Sequence, residues 1–149
     1  MLIKKKGRLT PSMEDYLEMI YRHCTTQGYT RINQLADELN VGAPSVTKIV
    51  QKLAKLGLLN YQRYGIVQLS EEGESIGSFL LERHMIIEKF LRNIGVNNTL
   101  TDTEMIEHNI SADTLRNIHL LNKFFEEEPT ILRKFNEFKD LTEMVEDYS

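Results

Sequence analysis

Residues 32–69 read INQLADELNVGAPSVTKIVQKLAKLGLLNYQRYGIVQL. Ile32, Leu35, Ala36 and Leu39 recur at helical spacing and predict a helix over about 32–39. Asn40-Val41-Gly42 follows as a short turn. A next helix begins near Ala43-Pro44 and turns Val46, Ile49, Val50, Leu53 and Leu56 inward, with Gly57 as its stop. Two strand-like runs, 58–62 and 66–69, flank Arg63-Tyr64-Gly65 and predict a β-hairpin. Helix, tight turn, helix, hairpin is the order of a winged helix-turn-helix, in which the later helix enters the DNA major groove. The pattern alone also fits any small helical domain closed by a hairpin.

Upstream, Thr10-Pro11-Ser12 reads as a helix start, with Ser or Thr as cap and Pro tolerated in the first turn. Met13, Tyr16, Leu17, Ile20, Tyr21 and Cys24 then form one apolar stripe, ended by Gln27-Gly28. Downstream, a long helix is expected over about 71–93. Ile76, Leu80, Ile87, Leu91 and Ile94 line it, and Phe79, Ile86 and Phe90 widen the stripe. A helix apolar on two sides is buried on two sides, and in a short chain the second side fits a partner subunit. Further helices are expected over about 102–109, 112–125 and 130–147, the last with Pro129 in its first turn. The expected architecture is mostly α with a small β-hairpin wing. Residues 1–70 form a winged helix-turn-helix domain, and residues 71–149 a helical metal-binding and dimerisation domain.

Charge divides the 149-residue chain in the same place. The whole carries −4, but residues 1–70 hold ten basic against five acidic side chains, +5, and residues 71–149 eight against 17, −9. A basic half suits a polyanion, although a solvated mixed surface has the same composition. No apolar run nears the roughly 18–20 residues of a membrane helix, and no apolar stretch follows the charges at the start. The single cysteine, Cys24, excludes an internal disulfide and reads as core. A soluble, reducing, cytoplasmic setting without membrane contact is the expectation.

The helix after the turn exposes Pro44, Ser45, Thr47, Lys48, Gln51 and Lys52. Ser, Thr and Gln suit base edges, and lysines suit phosphates, which position a protein without reading sequence. Arg63 and Tyr64 at the hairpin tip are placed for backbone or minor groove. Lys4, Lys5, Lys6 and Arg8 make a basic leader that fits a DNA arm or a solvated terminus equally well.

Carboxylates and imidazoles supply the remaining chemistry. Asp15 and Glu18 share a face of the first helix. Glu104, Glu107 and His108 share a face of the short helix, and His84 lies four residues before Glu88. Glu-x-x-Glu-His on one helix converges ligands as in carboxylate-bridged sites of helical bundles. Plainer roles fit the same residues: Asp15 as a capping-box acid to Ser12, Glu18 as partner of Arg22, Glu104 at the N-terminus of its own helix, His84 as a core histidine. His23 and His119 show no evident partner. No nucleophile elbow or Gly-rich phosphate loop is present, so a catalytic reading has little support in the sequence.

Thr10-Pro11-Ser12-Met13-Glu14-Asp15-Tyr16-Leu17-Glu18, Pro44-Ser45-Val46-Thr47-Lys48, Val50-Gln51-Lys52-Leu53 and Arg83-His84 together resemble the DtxR family of metal-dependent repressors. Phe90-Leu91-Arg92-Asn93-Ile94-Gly95-Val96 and Glu104-Met105-Ile106-Glu107-His108 share the resemblance, which covers residues 10 to about 128 and is closest to the family's manganese branch. The resemblance implies a homodimer that binds palindromic operator DNA of metal-uptake genes when Mn(II) is bound at the domain junction. The implied ligands are Asp15, Glu18, His84, Glu104, Glu107 and His108, holding a pair of metal ions, with other divalent metals possible occupants. The iron-sensing branch carries Met where Asp15 stands and Cys where Glu104 stands. Carboxylate oxygens in both places suit Mn(II). His84 and Glu88 match two ligands of that branch's ancillary site, but Leu100 replaces a third, so no ancillary site is expected. That branch's SH3-like third domain is not expected either. Two rival readings are a di-metal carboxylate enzyme on a helical scaffold and a metal-independent winged-helix DNA-binding protein.

Overall fold

Thr10 opens the first helix, α1 (Pro11–Gln27): its hydroxyl accepts from the Met13 N–H at 3.2 Å, one of the donors a helix start leaves over. Gly28 closes it in the left-handed conformation, φ 84°, donating its N–H to Cys24 O. Because Thr10 is the cap, Ser12 lies inside the helix and Asp15 is no capping-box acid. The computed structural model describes residues 9–146, apart from the side chains of Arg63 and residues 144–146. The basic leader residues Lys4, Lys5, Lys6 and Arg8 lie outside the described residues, as does Asp147, the expected last residue of the final helix.

After α1 come β1 (Thr30–Arg31), α2 (Ile32–Leu39), α3 (Ala43–Lys55), β2 (Leu59–Tyr61) and β3 (Ile66–Leu69). A tight 3-10 turn, Arg63–Gly65, links the last two. The predicted hairpin is therefore part of a three-stranded antiparallel sheet, order β1-β3-β2, with Thr30 opposite Val67 and Leu59 opposite Leu69. The added strand has only two residues, too few to show alternation. Leu56, expected inside α3, falls one residue past its end, with Gly57 behind it at φ 77°.

Helix α4 (Glu71–Asn93) starts at Ser70, whose hydroxyl accepts from Gly73 N–H at 3.0 Å and donates to Gly57 O at 2.6 Å. A Cβ on Gly73 would stand 1.9 Å from Leu58 O, and one on Gly77 2.7 Å from Tyr21 Cβ. These two glycines let the helix pack directly on the backbone just before β2 and on α1.

The chain divides into two compact units at Leu81 and Glu82, inside α4. The first has a core of Leu17, Ile20, Leu35, Val46, Val50, Leu53, Leu58, Val67, Ile76 and Leu80. It joins the stripes of α1, α2, α3 and the start of α4. The second holds the rest of α4, then α5 (Thr99–Ile106), a 3-10 turn Glu107–Asn109, α6 (Ala112–Glu127) and α7 (Pro129–Glu146). Helix α5 starts three residues earlier than expected and tightens into the 3-10 turn before Asn109. Among the described residues, the second unit's buried apolar side chains are Ile87, Leu91 and Leu115. Polar bonds fix its helices. Asn122 is buried, donates to Ile86 O at 2.9 Å, and accepts from Asn93 at 3.2 Å. Lys139 donates to Ile94 O at 3.0 Å, meeting a carbonyl just beyond the end of α4. No described helix is long and apolar enough to cross a membrane.

Candidate metal centre

In the second unit, helix α4 and the 3-10 turn bring three predicted ligands together. His84 Nδ1 lies 2.9 Å from Glu107 Oε2, and both side chains are buried, 8% and 5% exposed. Glu107 Oε1 is 3.8 Å from His108 Nε2, and His108 Nδ1 is 3.4 Å from an Arg83 guanidinium nitrogen. Glu104 is exposed on the last turn of α5 and takes no part in the hydrogen bonds described for this group.

The electrostatics are unusual. Glu104 and Glu107 stand at the C-terminal end of α5, where the helix dipole is negative and carboxylates are disfavoured. The suggested role of Glu104 at its own helix N-terminus therefore fails. Burying Glu107 costs free energy unless positive charge or hydrogen bonds compensate. A divalent cation would offset both penalties. The donors are carboxylate oxygen and imidazole nitrogen without sulfur, a set that fits Mn(II) and other divalent metals.

In the first unit, Asp15 is exposed on α1, and Glu18 sits one turn on, partly buried, accepting from Arg22 at 3.4 Å. Both face away from the buried stripe.

The residues expected to face DNA lie on α3 and on the wing of the same unit. Pro44, Ser45, Lys48, Gln51 and Lys52 are exposed. Thr47 is half-buried, and its hydroxyl donates to Ala43 O at 3.0 Å, so it faces any ligand as an acceptor. Tyr64 is 91% exposed and holds a left-handed backbone, φ 68°. The Arg63 side chain lies outside the described part.

His23 gains a role that the sequence hid, and Glu88 gains one other than the ancillary ligand weighed for it. His23, read as partnerless, hydrogen-bonds Thr30 Oγ1 at 2.7 Å and Glu38 Oε2 at 2.9 Å, tying α1 to β1 and α2. These partners are 7 and 15 residues away, and nothing in the local pattern marks them. Glu88 is placed 3.7 Å from His84 Nε2.

A winged helix-turn-helix followed by a helical unit with a cluster of carboxylate and imidazole side chains fits a DNA-binding regulator of the metal-responsive kind. The chain belongs to the iron-dependent repressor family: residues 8–67 match its N-terminal DNA-binding domain and residues 70–136 its metal-binding and dimerisation domain. It is 42% identical over 132 residues to the HTH-type transcriptional regulator MntR of Lysinibacillus sphaericus, covering 87% of this chain and 95% of that protein. It is 45% identical over 130 residues to the MntR of Listeria innocua, covering 86% and 92%. Among solved structures it resembles the manganese regulator SloR, with TM-score 0.65 and 29% identity over 79% of this chain and 55% of that one. It also resembles a manganese-dependent transcriptional repressor in complex with manganese, with TM-score 0.63 and 27% identity, covering 75% and 53%. The chain thus spans about half the length of these two structures.

Proposed function

We propose that this protein is a manganese-responsive transcriptional repressor, acting in the cytoplasm as a homodimer on palindromic operators of metal-uptake genes. The observation that carries the reading is the buried His84–Glu107 pair with His108, in a chain with carboxylates at Asp15 and Glu104 where the iron-sensing branch has Met and Cys. The likeness to regulators named for manganese supports it.

The metal site would take Asp15 and Glu18 from a domain of residues 1–70, and His84, Glu104, Glu107 and His108 from a domain of residues 71–149. Four carboxylates with no cation repel one another. Mn(II), when bound, supplies the opposing charge, two ions matching four carboxylates, and accepts oxygen and nitrogen donors. Closing the ligand set would then fix α3 for its operator. Ser45, Thr47 and Gln51 meet base edges, Pro44 packs beside them, and Lys48, Lys52, Arg63 and Tyr64 hold the backbone. Ligand coupling of this kind is reciprocal, so operator DNA tightens manganese binding by the factor by which manganese tightens DNA binding.

The reading has no enzymatic turnover. A di-metal enzyme leaves the recognition helix and wing without a task, and a metal-independent DNA-binding protein leaves the buried ligand group unexplained. The deciding experiment is selection from a random duplex pool with and without Mn(II) at fixed salt. One palindrome recovered only with manganese is the expected outcome. Equal recovery in both arms, or none in either, would overturn the proposal.

A further inference from the structure

Glu88 lies one helical turn beyond His84 on α4, and Arg92 one turn beyond Glu88. The three form a file from interior to solvent, with side-chain exposures of 8%, 28% and 67%. Glu88 Oε1 accepts from Arg92 Nη2 at 2.9 Å, and its other oxygen stands 3.7 Å from His84 Nε2. On the opposite side of the ring, His84 Nδ1 is 2.9 Å from Glu107. The two nitrogens of His84 therefore face two different carboxylates, one in the candidate ligand set and one outside it.

We infer that Glu88, braced by Arg92 and 3.7 Å from His84 Nε2, is a positioning residue that closes on that nitrogen to accept its N–H when metal is bound and so turns Nδ1 toward the metal. A ligating histidine commonly gives its other N–H to a carboxylate, which fixes both ring orientation and tautomer. One observation argues against Glu88 as a ligand of a separate ion: one of its oxygens is already engaged by a guanidinium, whose charge opposes a cation.

The inference rests on the manganese reading, and the test separates the two. Mn(II) binding to the full chain without DNA is measured by calorimetry and by the EPR signal of free Mn(II), for the unmodified protein, E88A, E88Q and R92A. E88A is expected to bind about 10–100-fold more weakly with the same number of ions per subunit. E88Q, whose amide oxygen still accepts, should recover most of that affinity, and R92A should lose less than E88A. Affinity of E88A within about twofold of the unmodified protein would overturn the inference and leave the manganese reading standing. Loss of one bound ion in E88A would make Glu88 a ligand and overturn it as well. Equal weakening in E88Q and E88A would overturn it too, because charge rather than an acceptor for Nε2–H would then be what matters. An unmodified chain that binds no Mn(II) would overturn both readings.

Discussion

Single side chains here carry energies that their neighbours in sequence do not announce. The Thr30 side chain is fully buried, and His23 is its short hydrogen-bond partner, with Gln34 only at 3.5 Å. Removing the imidazole leaves that hydroxyl poorly satisfied and frees Glu38. H23A is expected to lose about 1–3 kcal/mol of stability, read by urea denaturation, with H23Q restoring part of it. An unchanged midpoint would make the clasp energetically idle. Cys24 behaves oppositely, as a group that prefers to stay neutral. Burial pushes its thiol up, the Glu74 carboxylate adds to this, and a hydrogen bond with the Leu69 backbone opposes. The folded thiol thus keeps its proton at pH values where the unfolded thiol has begun to lose it. Stability from this group is complete below the ordinary thiol range and declines as pH rises through it. Alkylation of the native protein at neutral pH should accordingly be slower than in denaturant, and equal rates would contradict the burial.

At the scale of elements, the stripe of α3 and the ends of α1 were legible because period and punctuation coincide: Val46, Val50 and Leu53 are buried, and Gly28 takes the left-handed cap. The two-residue strand β1 was not, since Thr30-Arg31 has no period to read. The His84–Glu107 contact spans 23 residues, so their spacing named both as candidates without showing that they touch. The ligand types were visible, but the 3-10 turn that carries Glu107 and His108 was not. Two substitutions test the elements themselves. G73A places a methyl group against Leu58 O and should cost at least about 2–3 kcal/mol, seen as a lowered melting temperature. Y64G removes a side chain from a left-handed residue on an exposed wing. Its stability should hold or rise by up to about 1 kcal/mol while operator affinity falls. Affinity unchanged in Y64G would remove Tyr64 from the DNA contacts.

At the scale of the whole molecule, the described residues leave apolar surface exposed. Leu120, Leu121 and Phe124 on α6 are exposed, as are Ile131, Phe135, Phe138 and Leu141 on α7, at spacings that place the α7 residues along one stripe. A patch of this kind marks an interaction surface. Residues 70–136 match a dimerisation domain, and that span holds Leu120, Phe124, Ile131 and Phe135, so a second copy of this chain is the occupant we propose. Charging the patch at its most exposed member on each helix, Leu120 and Phe138, should then separate the subunits without unfolding them, because at least half of each side chain is uncovered in the single chain. L120E and F138E are expected to sediment as monomers at concentrations where the unmodified chain is dimeric, with unchanged helical circular dichroism. Such monomers would also lose cooperative binding to a two-half-site operator while keeping weak binding to one half-site, since each α3 is retained and only the pairing is lost. A dimer that persists in both variants would place the subunit contact elsewhere and leave this stripe without a partner.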